Sequence, residues 1–182
     1  MSDSKPAGST HVARLYIDIA LFRRGPEDLP VSAVLLALTV LAYMLLSLLL
    51  SSVMPVGDEN RVVLIALDCF LSLAWYWVVL RLAGRPERFL QTTTAVFGYQ
   101  TVVAPAFVAA TWLFLQYMKD ETWQLPVALL LLALSLWTLA VNGRILRSAT
   151  GWPQMICVAL VVVEAVISRV IALGLFPGAA TP

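Results

Sequence analysis

The feature that most constrains this chain is a succession of five apolar runs: Val31 to Met54, Val62 to Leu82, Thr92 to Tyr117, Leu125 to Val141 and Met155 to Leu175. A helix rising 1.5 Å per residue needs about 20 apolar residues to cross roughly 30 Å of hydrocarbon. The pattern therefore predicts an all-α integral membrane protein with five transmembrane helices. Composition agrees, since 60% of residues are hydrophobic and 13% charged, whereas an ordinary soluble domain is about 45–50% apolar. A net charge of +1 supplies no basic field of the kind that nucleic acid would need, so the lipid bilayer is the first partner expected and nucleic acid is not one.

Residues 1–10, rich in Ser, Gly and Pro, bury too little to order themselves and read as a flexible tail. Residues 11–28 form an amphipathic segment. Val12, Leu15, Tyr16, Ile19 and Phe22 recur at three and four, with Arg14, Asp18 and Arg23 on other faces, as in a helix lying on a membrane surface. Gly25, Pro26 and Pro30 break it, and Glu27 and Asp28 make the turn into the five-span domain, residues 29–178. Charge and proline ahead of the first run argue against a cleavable signal, so that run should be an uncleaved anchor. Asp58, Glu59, Asn60 and Arg61 form the next polar loop, and Lys119, Asp120 and Glu121 a later one. Trp75, Tyr76 and Trp77 suit an interfacial aromatic belt, and Pro105 is the expected kink in the third span.

Orientation follows from the basic residues. Lys5, Arg14, Arg23, Arg24, Arg81, Arg85, Arg88, Arg144 and Arg147 fall on one side of the five-span arrangement, and only Arg61 and Lys119 on the other. Cytoplasmic loops collect Lys and Arg, which makes the N-terminus cytoplasmic and the C-terminus exoplasmic. The loop arginines Arg81, Arg85, Arg88, Arg144 and Arg147 form a cytoplasmic basic patch for anionic headgroups or an acidic partner, unless they serve orientation alone.

Charged groups inside the spans are the candidate functional residues, because each costs about 2.5 kcal/mol or more to insert and must find protein or water. Glu164 and Arg169 lie on the last run about 140° apart around the helix axis and so must address different neighbours. Asp68 on the second run is level with Arg169, which predicts a contact between them, with Ser47 and Thr111 as further polar neighbours. The alternative is that Arg169 snorkels to the headgroups and Asp68 lines a wet cavity. Glu164 sits nearer the midplane with Ser168 on the same face, at the depth of Tyr43, Pro105 and Trp137. It serves either as a proton or cation relay or as a structural hydrogen-bonding group.

Enzyme constellations are missing. The single histidine, His11, leaves no His-based triad or zinc cluster in the bundle, and there is no HExxH, P-loop, GxGxxG or CxxC. No catalysis, metal or cofactor is expected. Cys69 and Cys157 lie in different runs toward opposite faces, too far apart for a disulfide.

Gly84, Phe89, Gly98, Tyr99, Pro105, Trp137, Arg144 and Gly151 together resemble the pattern of the Yip (Ypt/Rab-interacting protein) family of five-span membrane proteins, over roughly Pro30 to Leu175. The resemblance implies a non-enzymatic scaffold, trafficking factor or accessory subunit acting through homo-oligomers or other membrane proteins. Eukaryotic members carry a longer N-terminal region associated with small GTPases. This chain has only the residues up to Pro30 before its first span, so it looks like a compact prokaryotic member, which implies a bacterial inner membrane. The competing expectation is a small transporter using Glu164, with Asp68 and Arg169 as a gate or counter-ion pair.

Overall fold

The computed structural model describes residues 9–52 and 61–175. The tail up to residue 8 and the loop residues Asp58, Glu59 and Asn60 lie outside the described residues. Six helices follow in order: α1 (Ser9–Ala20), α2 (Ala33–Ser51), α3 (Arg61–Leu82), α4 (Phe89–Tyr117), α5 (Glu121–Thr150) and α6 (Gln154–Leu175). Five of them, α2 to α6, are long and apolar enough to cross a membrane. No strand occurs among the described residues. The protein is an all-α integral membrane protein. Turns at Pro26–Asp28 and Pro86–Arg88 precede α2 and α4, where proline presets the backbone for a tight helical turn.

Local chemistry sets the helix limits. Ser32 caps α2 by accepting the Leu35 amide at 3.2 Å, and Asp120 caps α5 by accepting the Thr122 amide at 2.9 Å. The fourth span, expected to end at Val141, continues through Asn142, Arg144 and Arg147 to Thr150. Polar side chains ended the apolar run but not the helix. What stops it is Gly151, whose φ of 77° is the left-handed conformation glycine adopts without steric cost, while its amide donates to the Arg147 carbonyl at 2.7 Å.

Helix α1 forms, one residue before the end of the tail expected to be flexible, but its apolar stripe does not face away from the protein. Leu15, Tyr16, Ile19 and Ala20 are buried in the core cluster with Ala95, Val96 and Tyr99 of α4, and Val12 and Phe22 pack against it. The Tyr16 hydroxyl and the Thr39 hydroxyl of α2 are hydrogen-bonded at 2.8 Å. The helix is thus held by the bundle through its apolar face. It approaches so closely because position 98 is glycine, where any Cβ would collide with the Tyr16 ring. The helix ends with the amide of Arg23 bonded to the Asp18 carbonyl at 2.8 Å and that of Phe22 to Ile19 at 3.1 Å. These are the paired bonds of a Schellman ending. Phe22 takes the left-handed position, φ 60°, where glycine is usual. Its ring is held under the Arg144 guanidinium, 5.5 Å away.

Burial raises the Tyr16 phenol above its ordinary range, partly offset by the bond with Thr39. A tyrosine with a raised folded pKa contributes stability that is complete below its unfolded value, about 10, and is lost as pH rises through the folded value. Docking of α1 should therefore be indifferent to pH across the neutral range. Tyr16→Phe should lower thermal stability by about 1 kcal/mol through the Thr39 hydroxyl it leaves behind, a change readable in detergent melting curves.

The core is concentrated at the end of the bundle that carries α1, the α3–α4 turn and the α5–α6 turn. There Tyr76, Val79 and Leu80 of α3, Thr92 through Tyr99 of α4, Ile145, Leu146 and Ala149 of α5 and Cys157 of α6 are all buried. Both cysteines are free, as their separation required. The expected aromatic belt is only partly realised. Trp77 is exposed and stacks with Arg81, whose guanidinium is 4.8 Å from the ring, but Tyr76 is among the most buried residues of the protein. Helix α4 runs unbroken through Pro105.

Candidate functional site

Two of the cavities between the spanning helices carry polar side chains. The larger, about 700 Å³, lies among α3, α4, α5 and α6 and is lined by Asp68, Ser72, Gln100, Asn142, Glu164, Ser168 and Arg169, with apolar residues between them. All four candidates expected from the sequence as an intramembrane polar network, Asp68, Glu164, Ser168 and Arg169, thus face one space. Their partners differ from those expected. Glu164 accepts a hydrogen bond from the Ser72 hydroxyl at 2.6 Å, from α6 to α3. Asp68 accepts one from the Tyr43 hydroxyl of α2 at 3.4 Å, and the Tyr43 ring is set edge-on to Phe97 with centroids 5.4 Å apart.

Asp68 and Arg169 share the cavity without an ion pair between them. Asp68 accepts from Tyr43 instead, and both Asp68 and Arg169 are exposed. Ser47 lines the other cavity with Tyr43, and Thr111 donates to the Phe107 carbonyl of its own helix at 2.8 Å, so neither joins the pair. In a double-mutant cycle of Asp68→Asn and Arg169→Leu, the stability changes should add, with a coupling below about 0.5 kcal/mol.

The second cavity, about 440 Å³, lies among α2, α4 and α5 and is lined by Tyr43, Ser47, Ser51, Tyr99 and apolar side chains of α4. Gln100, Thr138 and Asn142 line both cavities and so form the partition between them. Asn142 is 9% exposed and its Oδ1 has no hydrogen-bond partner. Sequence reasoning missed the partition and Ser72. Asn142 follows the last residue of the fourth apolar run, and Thr138 and Ser72 carry no charge to mark them.

The five arginines of the expected basic patch do not form one free surface. Arg88 donates to the Ser148 carbonyl at 2.6 Å, and the Arg85 guanidinium lies against Gly151. Both cations thus sit at the C-terminal end of α5, where the helix dipole is negative. Arg81 and Arg144 stack on Trp77 and Phe22, and Arg147 is exposed. Ser148 also donates from its hydroxyl to Glu27 Oε2 at 2.6 Å, tying the turn after α1 to α5.

No group of three or more His, Cys, Asp or Glu side chains able to hold a metal occurs among the described residues. No family model, curated protein or solved structure matches the chain, so the functional reading stands on the geometry of these cavities.

Proposed function

We propose that the protein is a non-enzymatic permeation component that takes a small polar solute or proton into the α3–α6 cavity, with Glu164 as its principal group. The observation that supports this is the cavity itself, about 700 Å³ and bearing two carboxyls, one guanidinium, two carboxamides and several hydroxyls inside spanning helices. A bundle built only to be rigid has no use for this, since each such group costs free energy in hydrocarbon. In this reading the closely packed α1 end faces the cytoplasm of a bacterial inner membrane, as the distribution of basic residues favours. The cavities are then entered from the exoplasmic half.

The test is proton flux into sealed proteoliposomes under an imposed pH gradient, read by an enclosed pH-sensitive dye. Wild-type protein should exceed protein-free vesicles and Glu164→Gln should return to their level. A wild-type protein indistinguishable from empty vesicles would overturn a proton-linked role.

The second reading is the Yip-like scaffold or accessory subunit, favoured by the five-helix count. It requires a homo-oligomer or stable complex in mild detergent. Light-scattering mass would report this, and Glu164→Gln should leave it unchanged.

A further inference from the structure

We infer that the small pocket between the turn after α1 and helix α5 binds the phosphodiester of an anionic phospholipid, through the guanidinium groups of Arg23, Arg24 and Arg144. The inference goes beyond the permeation reading. It concerns a separate cavity and needs only that the chain sits in a bilayer.

The way α1 ends makes the pocket. Phe22, in the left-handed conformation, turns the chain, and its ring is held under Arg144 of α5. The residues that follow, Arg23 to Asp28, lie over one face of α5, on which Val141, Arg144, Ile145 and Ser148 recur at three and four. The Ser148 hydroxyl, donating to Glu27 Oε2 at 2.6 Å, ties the turn to that face. About 190 Å³ is left between them, roughly six times a water's share of liquid volume, which is room for a phosphate and part of a headgroup.

Charge then sets the class of ligand. Arg24 makes a long contact with Asp18, 3.6 Å from Nε to Oδ2. Arg144 meets the Phe22 ring, and neither its guanidinium nor that of Arg23 has a carboxylate or carbonyl partner among the described residues. Glu27 and Asp28 line the pocket as well, but each has an oxygen committed to the protein, Glu27 to Ser148 and Asp28 Oδ2 to the Gly25 amide at 3.3 Å. Three cations against two carboxylates leave one net positive charge, which a single phosphodiester balances. The planar fork of arginine matches a pair of phosphate oxygens, and the remaining carboxylate oxygens can accept from headgroup hydroxyls. A cationic ligand would add charge where cations already outnumber acids.

Depth favours a lipid over a soluble phosphate. The apolar run of α5 ends at Val141, so Arg144 lies about 4.5 Å beyond it along the helix and Ser148 about 10.5 Å. The headgroup layer adds about 5–7 Å on each side of the hydrocarbon, which puts Arg144 at the level of the phosphates. On the outer side of α1, Ile17 and Leu21 are exposed about one turn apart, and Leu21 precedes Arg23 by two positions. They give acyl chains an apolar edge next to the arginines. Basic pockets at the ends of spanning helices recognise anionic headgroups in this way.

The test uses purified full-length protein in dodecyl maltoside, with radiolabelled phosphatidylglycerol as the probe. Binding should saturate at a single lipid per chain. Unlabelled phosphatidylglycerol should displace it, phosphatidylcholine about tenfold less effectively, and inorganic phosphate at matching concentration not at all. Arg23→Gln should weaken binding about tenfold through loss of a charge-assisted bond, at an unchanged melting temperature. Arg147→Gln removes the same charge from an exposed position outside the pocket and should bind as wild type does. Arg144→Gln should also bind more weakly. If losing the Phe22 contact lowers its melting temperature, Arg23→Gln and Arg147→Gln alone decide. Equal losses in those two variants would reduce the interaction to diffuse attraction and overturn the site. So would wild-type affinity in Arg23→Gln, equal competition by phosphatidylcholine, or no saturable binding at all. Displacement by inorganic phosphate as readily as by lipid would make this a soluble-anion site and overturn the lipid assignment. Lipid binding without flux keeps this site and ends the permeation reading, and flux without lipid binding does the opposite.

Discussion

Gly98→Leu is expected to release α1 from the bundle and to lower detergent thermal stability by more than any other single substitution on this face. A Cβ at position 98 would already collide with the Tyr16 ring, which is hemmed by the Thr39 bond on one side and buried neighbours on the other. Overpacking a filled site costs about 1–3 kcal/mol when neighbours can shift, and more when they cannot. The finer test is Gly98→Ala. Helix preference alone favours alanine by about 1 kcal/mol, so a loss of stability on that change means that the close approach outweighs propensity. Tyr16→Ala should then rescue Gly98→Ala, and a cysteine at exposed Ala13 should become more reactive to a membrane-impermeant thiol reagent when α1 leaves. Equal melting temperatures for Gly98→Leu and wild type would remove α1 from the structural core.

Glu164→Gln should reduce flux at least tenfold while leaving the fold intact. Glutamine has the same shape and its carbonyl still accepts from Ser72, so the 2.6 Å link between α6 and α3 keeps an acceptor. The substitution removes what an amide cannot provide, a site that takes up and gives back a proton and that carries charge. Ser72→Ala is the companion. It removes the donor to Oε1 but not the carboxyl, so its effect on flux should be smaller than that of Glu164→Gln. The reverse order would make the hydroxyl the functional group and Glu164 its support.

The five spans were legible because hydrocarbon imposes a length and an apolar content that few other structures meet, and because loop arginines punctuate them. The limits were less so wherever polarity and helicity part company. Asn142, Arg144 and Arg147 end a hydropathy run, yet they are tolerated in a helix that Gly151 alone terminates. In α1, the three-and-four spacing identified the buried face correctly but could not say whether lipid or protein would cover it. The clue was Gly98, whose meaning depends on a residue 82 positions earlier and is invisible until the two meet. At the site, charge points to Asp68, Glu164 and Arg169 and helical spacing from Glu164 points to Ser168, and the structure gathers all four on one cavity. Neither signal could disclose that two acids are held by hydroxyls, Tyr43 and Ser72, instead of by the guanidinium. Depth along a helix is readable from residue count, but direction around it depends on how the neighbours lean.

The seating of α1 against α4 also bears on how the chain is assembled. Leu15, Tyr16 and Ile19 leave the ribosome well before the surface they occupy, since Ala95, Val96 and Tyr99 belong to the third span and Ser148, which anchors the turn after α1, to the fourth. The earliest helix to be synthesised is therefore among the last to reach its final position, and a nascent chain truncated before α4 would still display it.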